Sequence, residues 1–275
     1  MKKLSILIII VFLVGCQKND NLSVHIIDVG QGDSILIKTL TKNILIDGGD
    51  EKSDKIVSNY LKKNKVKNID ILIASHLDSD HIGGLDNIID KFNVSNVYAP
   101  NQQLDTISYA NFINSCNNKN IKINFLKKDD FLEIEDNINL QILSPSFISD
   151  DNNKNSIVCK LNFKNKSFLF TGDIEKENEI DIINSFDLDD IDFLKVAHHG
   201  SSSSSHENFI LNTSPDIAVI SCGYKNKYNH PHKSTLDTLN KHNVLTYRTD
   251  LMGDIVFYSD GDKIYTKKDY QKAVE

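Results

Sequence analysis

Two histidines and two aspartates fall within six positions of residues 76–84, which read His-Leu-Asp-Ser-Asp-His-Ile-Gly-Gly. Carboxylates this close repel and desolvate one another unless a positive charge lies among them. A divalent cation supplies that charge, and imidazole with carboxylate suits zinc or manganese. The segment has no cysteine, which disfavours a thiolate zinc site. We therefore predict a metal-binding loop with His76, Asp78, Asp80 and His81 as ligands.

The segments on either side of this loop predict how it is held. An apolar run over residues 69–74 precedes it and indicates a buried strand. After it, Leu85, Ile88, Ile89 and Phe92 follow at helical spacing. A solvated polar loop at a strand end is the alternative interpretation. Motifs further along the chain favour the metal site.

The loop's pattern, His-x-Asp-x-Asp-His followed by Gly, resembles the signature of the metallo-β-lactamase superfamily. With Asp at the third position it is most similar to the hydrolase domain of competence DNA-uptake proteins of the ComEC/Rec2 type and their free-standing relatives. It also resembles the phosphorylcholine esterase branch. Residues 28–34 (Asp-Val-Gly-Gln-Gly-Asp-Ser) resemble the opening motif of the ComEC-like domain, and residues 45–49 (Leu-Ile-Asp-Gly-Gly) resemble the superfamily's next motif.

The resemblance covers residues 23–266 and implies a fold of the α/β (α+β) class. This fold is the αββα four-layer sandwich: two mixed sheets face to face, helices outside, and metals at one edge. Strand and helix patterns that alternate along both halves of the sequence agree with it. No internal repeat or change of composition is visible, so we predict a single folded domain.

The resemblance also implies the ligands of two divalent ions, zinc or manganese. Asp173, which follows Phe-Thr-Gly, would bridge them. His76, Asp78 and Asp173 would hold the first ion, and Asp80, His81, His199 and Asp173 the second. Asp47 would orient the metal loop from outside the coordination sphere. Asn155 stands where many relatives carry a metal-binding histidine, which would leave the first ion a more open position.

Two adjacent histidines, His198 and His199, follow a strand predicted over residues 193–197. Side chains alternate along a strand, so the two imidazoles should face different ways. We assign His199 as the metal ligand and His198 as the catalytic group that faces the substrate. Ser201 begins a serine run whose hydroxyls can meet phosphate oxygens, although a flexible loop is the simpler interpretation.

Residues 223–232 (Gly-Tyr-Lys-Asn-Lys-Tyr-Asn-His-Pro-His) resemble the family's basic segment that ends in His-Pro-His. Lys225 and Lys227 would bind an anionic substrate near the metals, and His230 and His232 would take part in catalysis. Without the resemblance this stretch would be interpreted as a surface loop.

The N-terminus has the features of an export signal. Lys2 and Lys3 precede an apolar run over residues 4–14, which is shorter than the roughly 20 residues that span a bilayer. The run ends in Leu-Val-Gly-Cys, similar to a bacterial lipobox. We predict a signal peptide over 1–15, a lipidated Cys16 with a tether over 16–22, and a hydrolase domain over 23–275. A plain secretory signal or a short anchor helix is the alternative.

Net charge and cysteine content argue against a nucleic-acid-binding surface and against a disulfide-stabilised fold. The net charge is −7, and such an acidic chain does not predict a stable nucleic-acid-binding surface, which usually needs a basic stripe. Cys116, Cys159 and Cys222 remain after Cys16, and this odd number predicts no disulfide framework.

We therefore expect a metal-dependent hydrolase with a dinuclear site, lipid-anchored on the outer face of a bacterial membrane. Its expected activity is that of a phosphodiesterase or nuclease acting on DNA or a surface polymer. The alternatives are a cell-wall phosphorylcholine esterase and a non-catalytic surface-binding lipoprotein.

Overall fold

The computed structural model describes residues 22–188 and 190–270. The predicted signal peptide and Cys16 lie outside these residues. The strands are β1 (Leu22–Ile26), β2 (Ile35–Lys38), β3 (Asn43–Ile46), β4 (Asn68–Ile73), β5 (Asn93–Ala99), β6 (Ile123–Phe125), β7 (Phe131–Glu135), β8 (Ile138–Ser144), β9 (Val158–Phe163), β10 (Lys166–Phe170), β11 (Phe193–Lys195), β12 (Ile217–Ile220), β13 (Leu245–Arg248), β14 (Ile255–Ser259) and β15 (Ile264–Tyr265). The α-helices are α1 (Asp54–Lys63), α2 (Ser79–Ile82), α3 (Leu85–Lys91), α4 (Ile107–Asn118), α5 (Lys176–Ser185), α6 (Glu207–Thr213), α7 (Lys233–Lys241) and α8 (Thr249–Met252).

The strands form two mixed sheets. The first has the order β15-β14-β1-β2-β3-β4-β5-β6, and the second has the order β13-β12-β11-β10-β9-β8-β7. Strands β3 to β6 run parallel to one another, as do β10 to β13. Because the carboxyl ends of parallel strands meet at one edge of a sheet, the loops after them gather there.

The apolar side chains separate into three layers, and this separation produces the sandwich. In β2, Ile35 and Ile37 pack between the two sheets, whereas Leu36 points outward against the layer that contains α1, α3 and α4. In β10, Phe168 packs between the sheets, and Leu169 points outward to the layer that contains α5, α6 and α7. Successive strand residues face opposite sides of a sheet, so each strand fills two layers. The αββα four-layer fold is confirmed.

The strand predicted over residues 69–74 is confirmed as β4, and the helical spacing after the metal loop is confirmed as α3. Three short helices were not predicted: α2, α6 and α8. Helices α2 and α8 have four residues each, about one turn, which is too short for a helical period to show in the sequence.

The predicted strand over residues 193–197 is wrong at its end. Strand β11 stops at Lys195, and residues 197–200 form a tight 3₁₀ turn in which His198 and His199 both have positive φ, 49° and 54°. The two imidazoles are thus separated by a left-handed turn and not by strand alternation.

Candidate metal centre

Loops from both sheets meet at one edge of the sandwich. Asp47 follows β3, the loop over residues 76–81 follows β4, Asp173 follows β10 and His199 follows β11. The β1–β2 turn closes the same edge, because a Cβ on Gly32 would lie 2.2 Å from the backbone oxygen of Asp80. Only glycine allows this close approach. The parallel strand ends therefore converge on a single cluster of His and Asp side chains.

His81 is held in a fixed orientation by Asp47. The Nδ1 of His81 lies 2.8 Å from Oδ2 of Asp47, and Asp47 accepts further hydrogen bonds from Ser75, from its backbone N–H at 2.7 Å and its hydroxyl at 2.6 Å. All three side chains are buried. Since Nδ1 donates to the carboxylate, Nε2 is left to face the centre of the cluster, 3.3 Å from Oδ2 of Asp173.

His199 has the same arrangement from the other sheet. Its Nδ1 lies 2.9 Å from the backbone oxygen of Ser221, to which it donates. Its Nε2 lies 3.2 Å from Oδ2 of Asp173, 3.3 Å from Nε2 of His81 and 3.5 Å from Oδ2 of Asp80. Two imidazole nitrogens therefore converge on one carboxylate oxygen, which is the geometry of shared ligands around a cation.

Two buried atoms of the predicted metal ligands have no hydrogen-bond partner among the described residues. They are Nε2 of His76 and Oδ1 of Asp173. Nε2 of His76 lies 3.7 Å from Oδ2 of Asp78, another member of the predicted first ligand set. A buried polar atom without a partner is costly unless it binds something else. These atoms, with a donor set of imidazole nitrogen and carboxylate oxygen, fit divalent metal ions.

The charges in the cluster also favour a cation. Burial alone would lower the pKa of His81 and of His199, but the carboxylates around them outweigh it together and hold both pKa values well above their usual range. Asp173 contributes most to this, with Asp47 at His81 and with Asp33 and Asp80 at His199. His76 differs, because burial and then the His81 charge lower its pKa to about 4. The carboxylates thus attract positive charge, while His76 keeps a neutral nitrogen free for a ligand bond.

A buried ion pair that the sequence did not reveal supports the cluster from behind. Nζ of Lys195 lies 2.7 Å from Oδ2 of Asp33, and both side chains are buried. Oδ1 of Asp33 lies 3.5 Å from Nδ1 of His199. Atoms of Asp33, His81, Asp173 and His199 lie within 4.8 Å of one another. The available signal was a single lysine inside the apolar run Phe-Leu-Lys-Val-Ala.

Comparison with known proteins agrees with this geometry. The profile of the metallo-beta-lactamase superfamily matches residues 27–224. The chain belongs to this superfamily. It is 30% identical over 267 residues to ComE operon protein 3 of Bacillus subtilis, which covers 90% of this chain and 34% of that protein. It is 31% identical over 238 residues to Recombination protein 2 of Haemophilus influenzae, which covers 84% of this chain and 28% of that protein.

These competence-type relatives confirm the resemblance stated from the motifs, but the chain spans only about a third of their length. Among solved structures, the metallo-beta-lactamase fold protein YhfI from Bacillus subtilis is 13% identical, with a TM-score of 0.57, and covers 86% of this chain and 100% of that chain. At that identity the likeness concerns the fold alone. Superfamily membership and the His/Asp cluster together support a metal-dependent hydrolase.

Asn155, which stands where many relatives carry a metal-binding histidine, is hydrogen-bonded to Ser149. Oδ1 of Asn155 accepts a hydrogen bond from the backbone N–H of Ser149 at 2.7 Å, and its Nδ2 donates to the Ser149 oxygen at 2.8 Å. Both ends of the buried amide therefore close its own loop. The neighbouring Asn152, which sequence reasoning missed, donates from Nδ2 to Oδ1 of Asp78 at 2.6 Å.

The remaining predicted site residues lie in two loops beside the cluster. His230 has its ring centroid 5.7 Å from that of His198, 6.3 Å from that of His199 and 4.9 Å from that of His232. Nδ1 of His232 accepts a hydrogen bond from the backbone N–H of Ser202 at 2.9 Å. The structure thus brings the His-Pro-His segment against the histidine pair.

Ser201 is buried within its own loop, whereas the two predicted substrate-binding lysines are exposed. The Ser201 hydroxyl lies 3.0 Å from that of Ser203 and is buried, so it faces its own loop. Lys225 lies over the ring of Tyr224 with Nζ 5.2 Å from the centroid, and Lys227 lies over the ring of Tyr228 at 4.8 Å. Both lysines are on the solvent-facing loop that carries His230.

Proposed function

We propose that this chain is a metal-dependent phosphodiesterase that cleaves nucleic-acid-type phosphate esters. The observation that carries the proposal is the convergence of His81 and His199 on Asp173, with unpartnered Oδ1 of Asp173 and Nε2 of His76 beside it. His76, Asp78 and Asp173 would hold one ion, and Asp80, His81, His199 and Asp173 the other, as zinc or manganese. Ions bound there would supply a hydroxide near neutral pH and stabilise charge on the reacting oxygens.

The residues around the ligands are suited to a phosphate ester. His198 is partly exposed, with Nε2 3.9 Å from Oδ2 of Asp173 and Nδ1 3.3 Å from the Ser203 hydroxyl. A positioned imidazole can transfer a proton to or from a reacting oxygen. Burial and then the neighbouring His199 lower the pKa of His230 to about 4, so its imidazole is neutral at pH 7 and can act as a hydrogen-bond partner.

Charge distribution supports an anionic substrate. Lys225 and Lys227 add positive charge on the loop beside His230, in a chain whose net charge is −7. The names of the competence-type relatives favour a role connected with DNA, although the chain spans only a part of each. Ser201 has less support as a substrate contact, because its hydroxyl is engaged by Ser203.

The test uses the chain from residue 17 onward, with manganese, zinc or a chelator. A labelled single-stranded oligonucleotide and nitrophenyl-phosphorylcholine are offered separately, and Asp173→Ala serves as the inactive control. Metal-dependent cleavage of the oligonucleotide by the wild type alone is expected. Hydrolysis of the phosphorylcholine ester alone would replace the proposal with the esterase, and no hydrolysis of either would favour a non-catalytic binder.

We also propose that the protein is a lipoprotein on the outer face of a bacterial membrane, attached through Cys16. The support is the sequence of residues 1–16 alone, since Cys16 is not among the described residues. Within 22–188 and 190–270, no helix is long and apolar enough to cross a bilayer. Cys16→Ala should move the protein from the membrane to the soluble fraction, whereas Cys116→Ala, at a buried cysteine, should not. Membrane retention of Cys16→Ala would contradict the anchor.

A further inference from the structure

A groove of about 380 Å³ lies where strands β5 and β6 end, against the loop over residues 145–155. We call it the Phe147 groove, and it is lined mainly by Phe125, Leu126, Lys127, Phe147 and Ile148. Phe147 is 73% exposed and Phe125 is 56% exposed. Two exposed aromatic rings in one concave surface are typical of a surface that binds a ligand.

The groove lies at the same sheet edge as the metal loop, because β4, β5 and β6 are parallel neighbours and their carboxyl ends meet there. A smaller cavity of about 40 Å³ shares Phe125 with the groove and is also lined by Leu77 and Gln102. Leu77 directly precedes Asp78 in the metal loop. The groove and the loop that carries Asp78 are therefore neighbours at this edge of the sheet.

Hydrogen bonds connect the same elements. Nε2 of Gln102 donates to Oδ1 of Asn152 at 2.7 Å, and Nδ2 of Asn152 donates to Oδ1 of Asp78 at 2.6 Å. Asn152 belongs to the loop over residues 145–155 that also carries Phe147. The Oε1 of Gln102 is buried and has no partner among the described residues. Gln102 lines the small cavity and not the groove, so these hydrogen bonds fix the loop that carries Phe147 relative to Asp78.

We propose that the Phe147 groove binds one unpaired nucleobase of the substrate strand beside the first metal position. The inference rests on the proposed phosphodiesterase function and names a subsite for it. Bases stack on aromatic side chains whatever their sequence, because every base has a π-face. A base within a duplex is already stacked on both sides, so the groove selects single strands.

The charge at the groove distinguishes a base from a choline headgroup. Nζ of Lys127 has no ion-pair partner within the part of the chain that the structure describes, so it is free to contact a substrate phosphate. The same ammonium repels a quaternary ammonium, which aromatic sites bind as a cation. One base and one phosphate need no basic stripe, so the site agrees with the acidic net charge.

The experiment measures binding and cleavage separately with the chain from residue 17 onward. Metal-free protein is titrated into two labelled single strands of equal length, oligothymidine and its abasic counterpart, and followed by fluorescence anisotropy. Phe147→Ala should weaken binding of oligothymidine by roughly 5- to 100-fold and leave abasic binding unchanged. Phe147→Trp should still bind oligothymidine more tightly than the abasic strand. The control is Phe131→Ala, at an exposed phenylalanine of β7 outside the groove, and should have no effect.

Other outcomes would overturn the subsite. Equal losses on both strands, or no greater loss than Phe131→Ala gives, would show that no base lies against Phe147. If Phe147→Ala loses binding to anionic phosphatidylglycerol vesicles and keeps its binding to oligothymidine, the groove contacts a membrane and not a base. Cleavage of the oligonucleotide with manganese tests the proposed function itself. A preference for oligothymidine over the abasic strand without cleavage would support the subsite and contradict the phosphodiesterase. Cleavage without that preference would support the phosphodiesterase and contradict the subsite.

Discussion

The ammonium of Lys195 lies 2.7 Å from the carboxylate of Asp33, and both groups are buried on the side of His199 that faces away from Asp173. Burial alone would raise the pKa of Asp33, but the Lys195 charge, together with the His199 and His81 imidazoles, outweighs it and holds that pKa below its usual range. The Asp33 carboxylate therefore stays ionised although it is buried. This places a fixed charge pair behind the imidazole that the proposed second ion would use.

Lys195→Met should destabilise the protein by about 3–5 kcal/mol, because it leaves the Asp33 charge buried and unpaired. Urea unfolding measures the loss. Adding Asp33→Asn should restore at least about 1 kcal/mol, since the double variant has no isolated charge. The control is Lys233→Met, which removes an exposed ion pair with Asp237 at 2.7 Å and should cost under about 1 kcal/mol. Equal losses at Lys195 and Lys233 would contradict a buried pair.

Asp173→Ala should leave a folded protein that binds fewer than two divalent ions. His81 and His199 both direct Nε2 at this carboxylate, and without it neither proposed ion keeps its shared ligand. Elemental analysis after dialysis, with circular dichroism as the check on folding, measures the result. Asp237→Ala, at an exposed aspartate, should retain the wild-type metal content. Two ions on the folded Asp173 variant would exclude the bridging role.

The fold and most of the cluster were predictable because the residues carry local signals. The apolar run over residues 69–74 marked strand β4, and the metal loop is a contiguous motif. The Asp33–Lys195 pair was not predictable, since its members are 162 positions apart and meet only when the two sheets pack.

The turn at the histidine pair shows a different limit. Nothing in the apolar run before His198 indicates that the strand ends at Lys195, because Val196 and Ala197 continue the pattern and are buried. An apolar run in the sequence indicates which residues are buried, not where a strand ends. Here the buried residues continue past the last strand residue into a left-handed turn. Asn152 was missed for a related reason, since a polar loop residue gives no sign of its partner, Asp78.

His198→Ala should lower turnover roughly 10²- to 10⁴-fold while metal content stays unchanged, as expected for a positioned imidazole that is not a ligand. His199→Ala should instead lose metal, with activity partly restored by excess ion. The reason is placement: Nε2 of His199 lies 3.2 Å from Oδ2 of Asp173, whereas that of His198 lies at 3.9 Å and its side chain is partly exposed. Kinetics and metal analysis on the same preparations decide between them. If His198→Ala loses metal and His199→Ala keeps it, His198 is the ligand and His199 is the catalytic imidazole.

Glu179→Gln should change how stability depends on pH. The Glu179 carboxylate is buried and accepts hydrogen bonds from the backbone N–H groups of Ser205, at 2.5 Å, and His206, at 2.9 Å. Burial raises its pKa from 4.5 to about 7. A raised pKa means that the folded state holds the proton more tightly, so this contribution to stability is complete below pH 4.5 and is lost as the pH rises through 7.

The wild type should therefore lose up to roughly 3 kcal/mol relative to Glu179→Gln between pH 4.5 and pH 8, because a tenfold change in proton affinity corresponds to about 1.4 kcal/mol. Urea unfolding of both proteins across this range gives the difference, in which other titrating groups cancel. Glu177→Gln, at an exposed glutamate of the same helix, controls for the loss of one carboxyl. A difference between wild type and Glu179→Gln that stays constant with pH would mean that the Ser205 and His206 amides stabilise the carboxylate enough to cancel the cost of its burial.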